Sequence, residues 1–435
     1  MPKKRKKQVL FKFAPFSDQQ KRLMHWWRPQ VSASRNDYVI ADGSIRSGKT
    51  IACICGFLQW SQESFSGESF IMAGKTMGAL KRNVVRPMLQ ILEAWGWPYT
   101  YIRSGTEARI EIGTNTYYLY GANTEAAQDA LQGLTAAGAL ADEVALFPQN
   151  FIDQMIGRCS VDGWKVWMNC NPGSPYSYIK TAFIDKAKEK HVYHLHFVMD
   201  DNLTLSEKRK EAYKRSWSPD SVFYKRYVLG LWVAAEGIIY DMFSEALHVR
   251  PIVKFFQNLI DGKRYVSIDY GTQNATAMLL WNKGIDGVWY CIREYYYSGR
   301  EKGKQKTDSE YADDLEAWLE DTKIRAVIVD PSAASFIAEL RKRGYKVIQG
   351  VNDVEDGIRQ VSKLLNLGKI MFASSCESTV KEFSSYVWDE KAGERGEDKP
   401  VKQHDHAMDA VRYFVYTILT DKTARIRDKK KAGLK

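Results

Sequence analysis

The chain has 435 residues, 45% of them apolar, and carries 63 Lys and Arg against 52 Asp and Glu, a net charge of +11. That length supports two or three domains with separate cores, and no apolar run approaches a bilayer span, so neither a membrane segment nor a signal peptide is expected. The basic balance favours a polyanionic partner, and the six cysteines lack metal-finger spacing, which fits reduced core positions of an intracellular protein better than disulfides.

The basic runs Lys3–Lys7 and Arg425–Lys431 read as solvated arms that add salt-sensitive attraction to phosphate backbones, and the first also resembles a nuclear import signal. Near the start, Phe16–Gln20 offers an amide, Gln20, that could lie against an adenine ring. Tyr38–Ala41 is a short apolar strand, and Gly43-Ser44-Ile45-Arg46-Ser47-Gly48-Lys49-Thr50 follows it directly. This is the phosphate-binding loop pattern, and the apolar helix Ile51–Leu58 completes its strand–loop–helix context. Gly43 and Gly48 let the backbone curl so that successive N–H groups face a polyphosphate. Lys49 then reaches the β- and γ-phosphates, and the Thr50 hydroxyl can hold Mg²⁺.

Strand and helix patterns alternate to about Val198, the mark of a parallel sheet wrapped by helices. Ser69–Gly74 is a strand, Thr76–Trp95 is helical with a kink or break expected at Pro87, and Ala108–Ile112 pairs with Thr116–Tyr120. Gly138–Glu143 is a second informative stretch, a short apolar strand ending in two carboxylates. Beside a phosphate loop, Asp142 would coordinate magnesium and Glu143 would polarise the attacking water. Val166–Pro172 ends in amides and a proline turn, and reads equally as a sensor of hydrolysis or an ordinary turn. Arg46, inside the loop, and Arg158, closing the helical Gln149–Gly157, could neutralise transition-state charge in their own site or a neighbour's, or simply be surface charges. Two helical segments over Ser206–Trp232 finish a first domain, 1–235, and a linker is expected over 236–260.

A second domain, 261–422, precedes a basic tail, 423–435. Tyr265–Gly271, Thr276–Trp281 and Val288–Glu294 read as an antiparallel meander, and Ala326–Pro331 as a buried strand ending in an aspartate. Helical Ser309–Leu319, Asp353–Leu367 and Ser378–Trp388 surround them, and a last helix runs from His404-Asp405-His406-Ala407-Met408-Asp409 into Tyr413. Strand-borne Asp269, strand-end Asp330 and helix-borne Asp409 are the acids that two-metal phosphodiesterase chemistry needs, because crowded carboxylates repel unless divalent cations sit among them. His406, three residues before Asp409, shares its helix face and could ligate a metal or move a proton, with Asp405 as an outer helper. Glu294 on the third strand is a further candidate. Any one of these acids could equally cap a turn.

Together, Gly43–Thr50, Leu140–Glu143, Asn169–Pro172, Tyr265–Gly271, Val327–Pro331 and His404–Tyr413 resemble the motifs of the large terminase subunit of tailed bacteriophages. The resemblance runs from about Phe16 to Leu419 and implies an α/β protein. Its parts would be an N-terminal P-loop ATPase with a mostly parallel sheet and a C-terminal RNase-H-like nuclease with a mixed sheet. It further implies ATP and Mg²⁺ at the first site and two Mg²⁺ or Mn²⁺ at the second. Asp269, Asp330 and Asp409 would be the nuclease ligands, with Asp330 where some members carry Glu. Double-stranded DNA, a portal protein, a small terminase subunit and a homo-oligomeric ring are the implied partners, with no membrane, in the cytoplasm of an infected bacterium. A helicase-nuclease of repair or host defence, and a non-enzymatic DNA-binding assembly factor, stay open as alternatives.

Overall fold

In the computed structural model the described residues are 13–103, 108–122, 125–251, 253, 258–271, 274–403 and 405–420. Both basic runs and His404 lie outside them. The chain divides into two compact units, one of residues 1–214 and 222–234 and the other of 215–221 and 235–435.

The first unit is built on strands β1 (Tyr38–Gly43), β2 (Ser69–Gly74), β3 (Tyr99–Ile102), β4 (Arg109–Ile112), β5 (Asn115–Gly121), β6 (Gly138–Asp142), β7 (Lys165–Asn169) and β8 (Val192–Phe197), in the order β3-β4-β5-β2-β6-β7-β1-β8. The run from β5 to β8 is parallel throughout, and β3 and β4 extend it as antiparallel edge strands. Parallel strands covered on both faces read as continuous apolar runs, as in β2, whose residues 70–74 are all buried. Helix α1 (Asp18–His25), opened by a Ser17/Gln20 capping box, lies against α2 (Lys49–Ser64). An aromatic cluster fills the core beneath α2, with Trp167 in ring contact with Trp26, Phe57 and Trp60. On the other side of the sheet packs α3 (Gln149–Gly157), through Phe151, Ile152 and Met155. At Pro87 the expected kink takes another form. The backbone stays right-handed helical, and a π-helical turn over Lys81–Val85 leads into Arg86–Trp95, leaving Pro87 in a first turn that needs no N–H donor.

The second unit holds a seven-stranded mixed sheet of β9 (Val249–Arg250), β10 (Leu259–Asp269), β11 (Ala275–Gly284), β12 (Trp289–Ser298), β13 (Ala326–Val329), β14 (Val347–Gln349) and β15 (Ile370–Ala373), ordered β14-β13-β10-β11-β12-β15-β9. The central meander β10–β11–β12 is antiparallel, and the outer pairings are parallel. Late in the chain come helices α4 (Glu377–Ser385) and α5 (His406–Phe414), the latter packed across β10 and β11. Residues 236–251, where a linker was expected, are tied into this unit: Ile239 N–H donates to Tyr386 O, and β9 pairs with β15.

Two candidate active sites

The loop after β1 is shaped by backbone geometry before any side chain acts. Gly43 has φ +127, and a Cβ there would lie 1.9 Å from the Phe197 carbonyl oxygen on the adjacent strand, so only glycine fits. Gly48, at φ +87, starts α2. Ser44 and Ile45 spend their N–H groups on Phe197 O and Tyr227 O, which pins the underside of the loop.

Lys49 is 6% exposed and donates to Gly43 O (3.1 Å), Ser44 O (2.7 Å), Ser47 Oγ (3.2 Å) and Asn171 Oδ1 (3.3 Å). None of these partners carries charge, and burial pushes the ammonium down to about 8. A buried cation held only by neutral groups, with the Ser44 hydroxyl buried and unbonded beside it, fits a polyphosphate. Thr50 Oγ1 lies 3.3 Å from Asp142 Oδ1, so the two expected magnesium residues meet at the ends of α2 and β6. Burial raises the Asp142 carboxyl. Glu143, next in the chain, has left-handed backbone at φ +63, a conformation costing about 1–3 kcal/mol that is kept where the surroundings impose it.

The remaining sequence candidates fall differently. Arg46 is exposed and also left-handed, with its carbonyl held by Asn202 Nδ2 at 2.6 Å. Arg158 is carried to the opposite end of the sheet: its carbonyl accepts from Ala136 N–H at the entry to β6, about 20 Å along the strand from Asp142. It therefore does not serve the site of its own chain. Gln20 is buried with both amide ends engaged, accepting from Ser17 N–H and donating to Gly48 O, so it braces the loop where a contact with a purine was expected. In the Val166–Pro172 stretch, Asn171 touches Lys49 and Asn169 pairs in register with Asp142.

Sequence reasoning missed Asp42. It is 1% exposed and accepts from His194 Nε2 (2.9 Å), His196 Nδ1 (3.0 Å) and Trp232 Nε1 (2.6 Å), which hold its carboxyl well below the usual range despite burial and tie β1 to β8 and to the end of the unit. The bond to Asp42 raises His196. The Asp42 contribution to stability is present above its unfolded value of 3.8 and is lost as pH falls through the folded one. The His196 contribution is full below 6.5 and fades as pH rises through its raised value. Asp42→Asn should therefore lose most stability, relative to the unsubstituted chain, between about pH 4 and 6.5. By pH 8 the gap should narrow by no more than about 1 kcal/mol, because His196 is half-exposed and solvent screens the pair. Urea titrations at pH 5.5 and 8 would check this; a gap that widens at pH 8 would contradict it.

In the second unit three acids lie along α5, Asp269 at its first residue, Asp409 within it and Asp330 at Tyr413 in its last turn. Asp269, at the end of β10, accepts from His406 Nδ1 at 2.9 Å. Asp409 holds Arg412 through Oδ1 (2.9 and 3.1 Å) and Lys402 through Oδ2 (3.2 Å). Asp330, after β13, accepts from Tyr413 OH at 2.5 Å, and Asn352 joins Tyr413 to Arg412. Burial first, then the charge of Asp409, pushes the Asp269 carboxyl up to about 6, and His406 is raised through its bond to Asp269. Among the described residues no three His, Cys, Asp or Glu side chains form a ready-made metal cage. The carboxylates are of the type hard divalent cations take, and each is held by its own protein donors, Asp269 by His406, Asp330 by Tyr413, and Asp409 by Arg412 and Lys402. Asp405 contributes a second carboxylate to Lys402, at 3.1 Å.

Two glutamates exchange importance. Glu294 is spent on capping α4, accepting from Ser378 N–H, Thr379 N–H and Thr379 Oγ1, and is not part of the acid cluster. Glu382, which no sequence pattern singles out, is 4% exposed and accepts from Ala407 and Met408 N–H at the start of α5, with Tyr296 OH on its other oxygen. Burial pushes its carboxyl up to about 7. Glu382→Ala should cost about 1–3 kcal/mol by orphaning the two N–H groups, whereas Glu382→Gln, which keeps the acceptor, should cost under about 1 kcal/mol. Chemical denaturation of both variants checks this, and equal losses would contradict the capping role.

The arrangement matches known proteins in both halves. Residues 40–246 match the family model described as terminase large subunit, T4likevirus-type, N-terminal, and residues 274–417 the terminase RNaseH-like domain. The chain is similar to the solved large terminase of a thermophilic bacteriophage, with 51% identity over 94% of this chain and all of that one, and a TM-score of 0.89. The same phage protein solved with ADP gives 51% identity, the same coverage and a TM-score of 0.88. The chain is also 28% identical over 190 residues to the large terminase subunit of Escherichia phage T5, a match spanning 42% of each chain.

Proposed function

Because the chain belongs to the large terminase family, we propose that it is the motor and nuclease subunit that hydrolyses ATP to drive double-stranded DNA into a procapsid and cuts concatemeric DNA. The observation that carries this is that one chain holds both a buried, charge-unpaired Lys49 in a phosphate loop and an acid cluster on α5. The complexes of the thermophilic phage's large terminase with ADP and with ATP-gamma-S support ATP as the nucleotide.

Lys49 would bind the β- and γ-phosphates, Thr50 and Asp142 would hold Mg²⁺, and Glu143 would orient and polarise the attacking water. Arg46, on the loop itself, or Arg158 from a neighbouring subunit of a ring, neutralises charge in the transition state. Asn171, bonded to Lys49, is placed to register loss of the γ-phosphate. In the second unit Asp269, Asp330 and Asp409 would hold two Mg²⁺ or Mn²⁺, whose chemistry when bound would be an activated water and stabilisation of the departing 3′ oxygen. His406 fixes Asp269 and can hold a proton there. Contacts to DNA run to phosphates, since a motor must pass any sequence. A portal protein as docking partner, a small terminase subunit for site choice, and the host cytoplasm as location complete the proposal. No helix among the described residues is long and apolar enough to cross a membrane. The test is a pair of single substitutions, Lys49→Ala and Asp269→Asn, assayed for ATP hydrolysis and plasmid cleavage in the full chain; each should remove one activity and spare the other.

A further inference from the structure

The reading of Asp269, Asp330 and Asp409 as metal ligands, on which this inference rests, leaves one cation without a role. Lys402 Nζ sits 3.2 Å from Asp409 Oδ2 and 3.1 Å from Asp405 Oδ2. The other oxygen of Asp409 is taken by Arg412, so both oxygens of this carboxylate are covered by protein cations. The two cations differ in what it takes to remove them. The Arg412 side chain is 1% exposed and further bonded to Asn352, and a guanidinium that is so enclosed cannot leave without losing its compensation. The Lys402 side chain is 65% exposed, on a flexible stem whose head can return to water at little cost. Asp405 and Asp409 are themselves 8% and 9% exposed, so removing the ammonium leaves two enclosed carboxylates calling for another cation.

We propose that Lys402 is a built-in counter-ion of the nuclease site, which a divalent cation must displace from Asp409 Oδ2 before the acids can act as a ligand set. Metal occupancy is then a competition between one tethered positive charge and a doubly charged ion. It sets a threshold of metal concentration below which the cluster stays closed by the protein's own ammonium. Arg412 stays in place throughout and orients Asp409 from beneath.

The test is Mn²⁺ titration by isothermal calorimetry, with thermal melting, on the full chain and on Lys402→Gln, Lys402→Arg and Asp409→Asn. Lys402→Gln should bind Mn²⁺ roughly three- to tenfold more tightly, the size expected for one lost partly exposed ion-pair partner. Its melting temperature should be lower than that of the unsubstituted chain without metal, and should rise further on adding Mn²⁺. Lys402→Arg should stay near the unsubstituted chain, and Asp409→Asn should weaken binding. Equal or weaker binding by Lys402→Gln, with the unsubstituted chain binding normally, would overturn the counter-ion role and leave the metal site standing. No saturable binding by the unsubstituted chain or by Lys402→Gln would overturn the metal-site reading and this role with it.

Discussion

Lys49→Ala is expected to reduce ATP hydrolysis by about a thousandfold or more while leaving metal-dependent DNA cleavage within about twofold. The ammonium is enclosed by two main-chain carbonyls, one hydroxyl and one amide, all neutral, so its charge is unspent and burial presses on it. A group in that state is preorganised for developing phosphate charge and need not be reoriented during the reaction. Deleting it removes that stabilisation and leaves the Gly43 and Ser44 carbonyls short of a donor, a loss of about 1–3 kcal/mol offset by no longer burying a charge. Folding should therefore survive, which circular dichroism and melting would verify. Phosphate release in the presence of DNA, alongside plasmid cleavage with Mn²⁺, reads the two activities. Hydrolysis above a tenth of the unsubstituted rate, or cleavage lost in a folded variant, would defeat the assignment.

The parts of this molecule that were legible in advance are those whose chemistry is local. β1, β6 and β13 are apolar runs ended by Gly or Asp, and the loop after β1 has its roles spaced along eight consecutive residues. The antiparallel meander was legible as three apolar runs and the mixed sheet was implied by the family resemblance, yet β9 and β14 are too short to display a period of two and exist only through their partners. Asp42 shows the same limit at the level of a side chain, since its histidines lie more than 150 residues away. A signal did exist: His194 and His196 are two apart on β8 and so share a face of the sheet. Glu382 left no such trace, being a glutamate within a short helix whose value lies wholly in which N–H groups α5 brings to it. The own-chain alternative for Arg158 falls for a topological reason: in a parallel sheet the phosphate loop lies at the carboxyl ends of the strands, and the turn after α3 returns to the amino end.

Asp269→Asn is expected to separate stability from activity in opposite directions. Its carboxylate is largely enclosed, accepts from His406, and is pushed up by burial and by the neighbouring charges of Asp409 and Asp405. Those effects oppose holding a negative charge there without a metal, so an amide of the same shape removes a cost while keeping an acceptor for His406. The melting temperature in metal-free buffer should then be equal to or above that of the unsubstituted chain. Cleavage of plasmid DNA with Mg²⁺ or Mn²⁺ should fall by about a hundredfold or more, because the neutral oxygen contributes no charge to a divalent ion and the ligand set is reduced. ATP hydrolysis, assigned to the other unit of the chain, should stay within about twofold. A site that gains stability when its charge is removed, and loses its chemistry in the same step, is one whose strain is retained for function. An Asp269→Asn protein that melts several degrees lower and still cuts DNA would instead make this aspartate a structural acid, and would move the cutting chemistry elsewhere in the second unit.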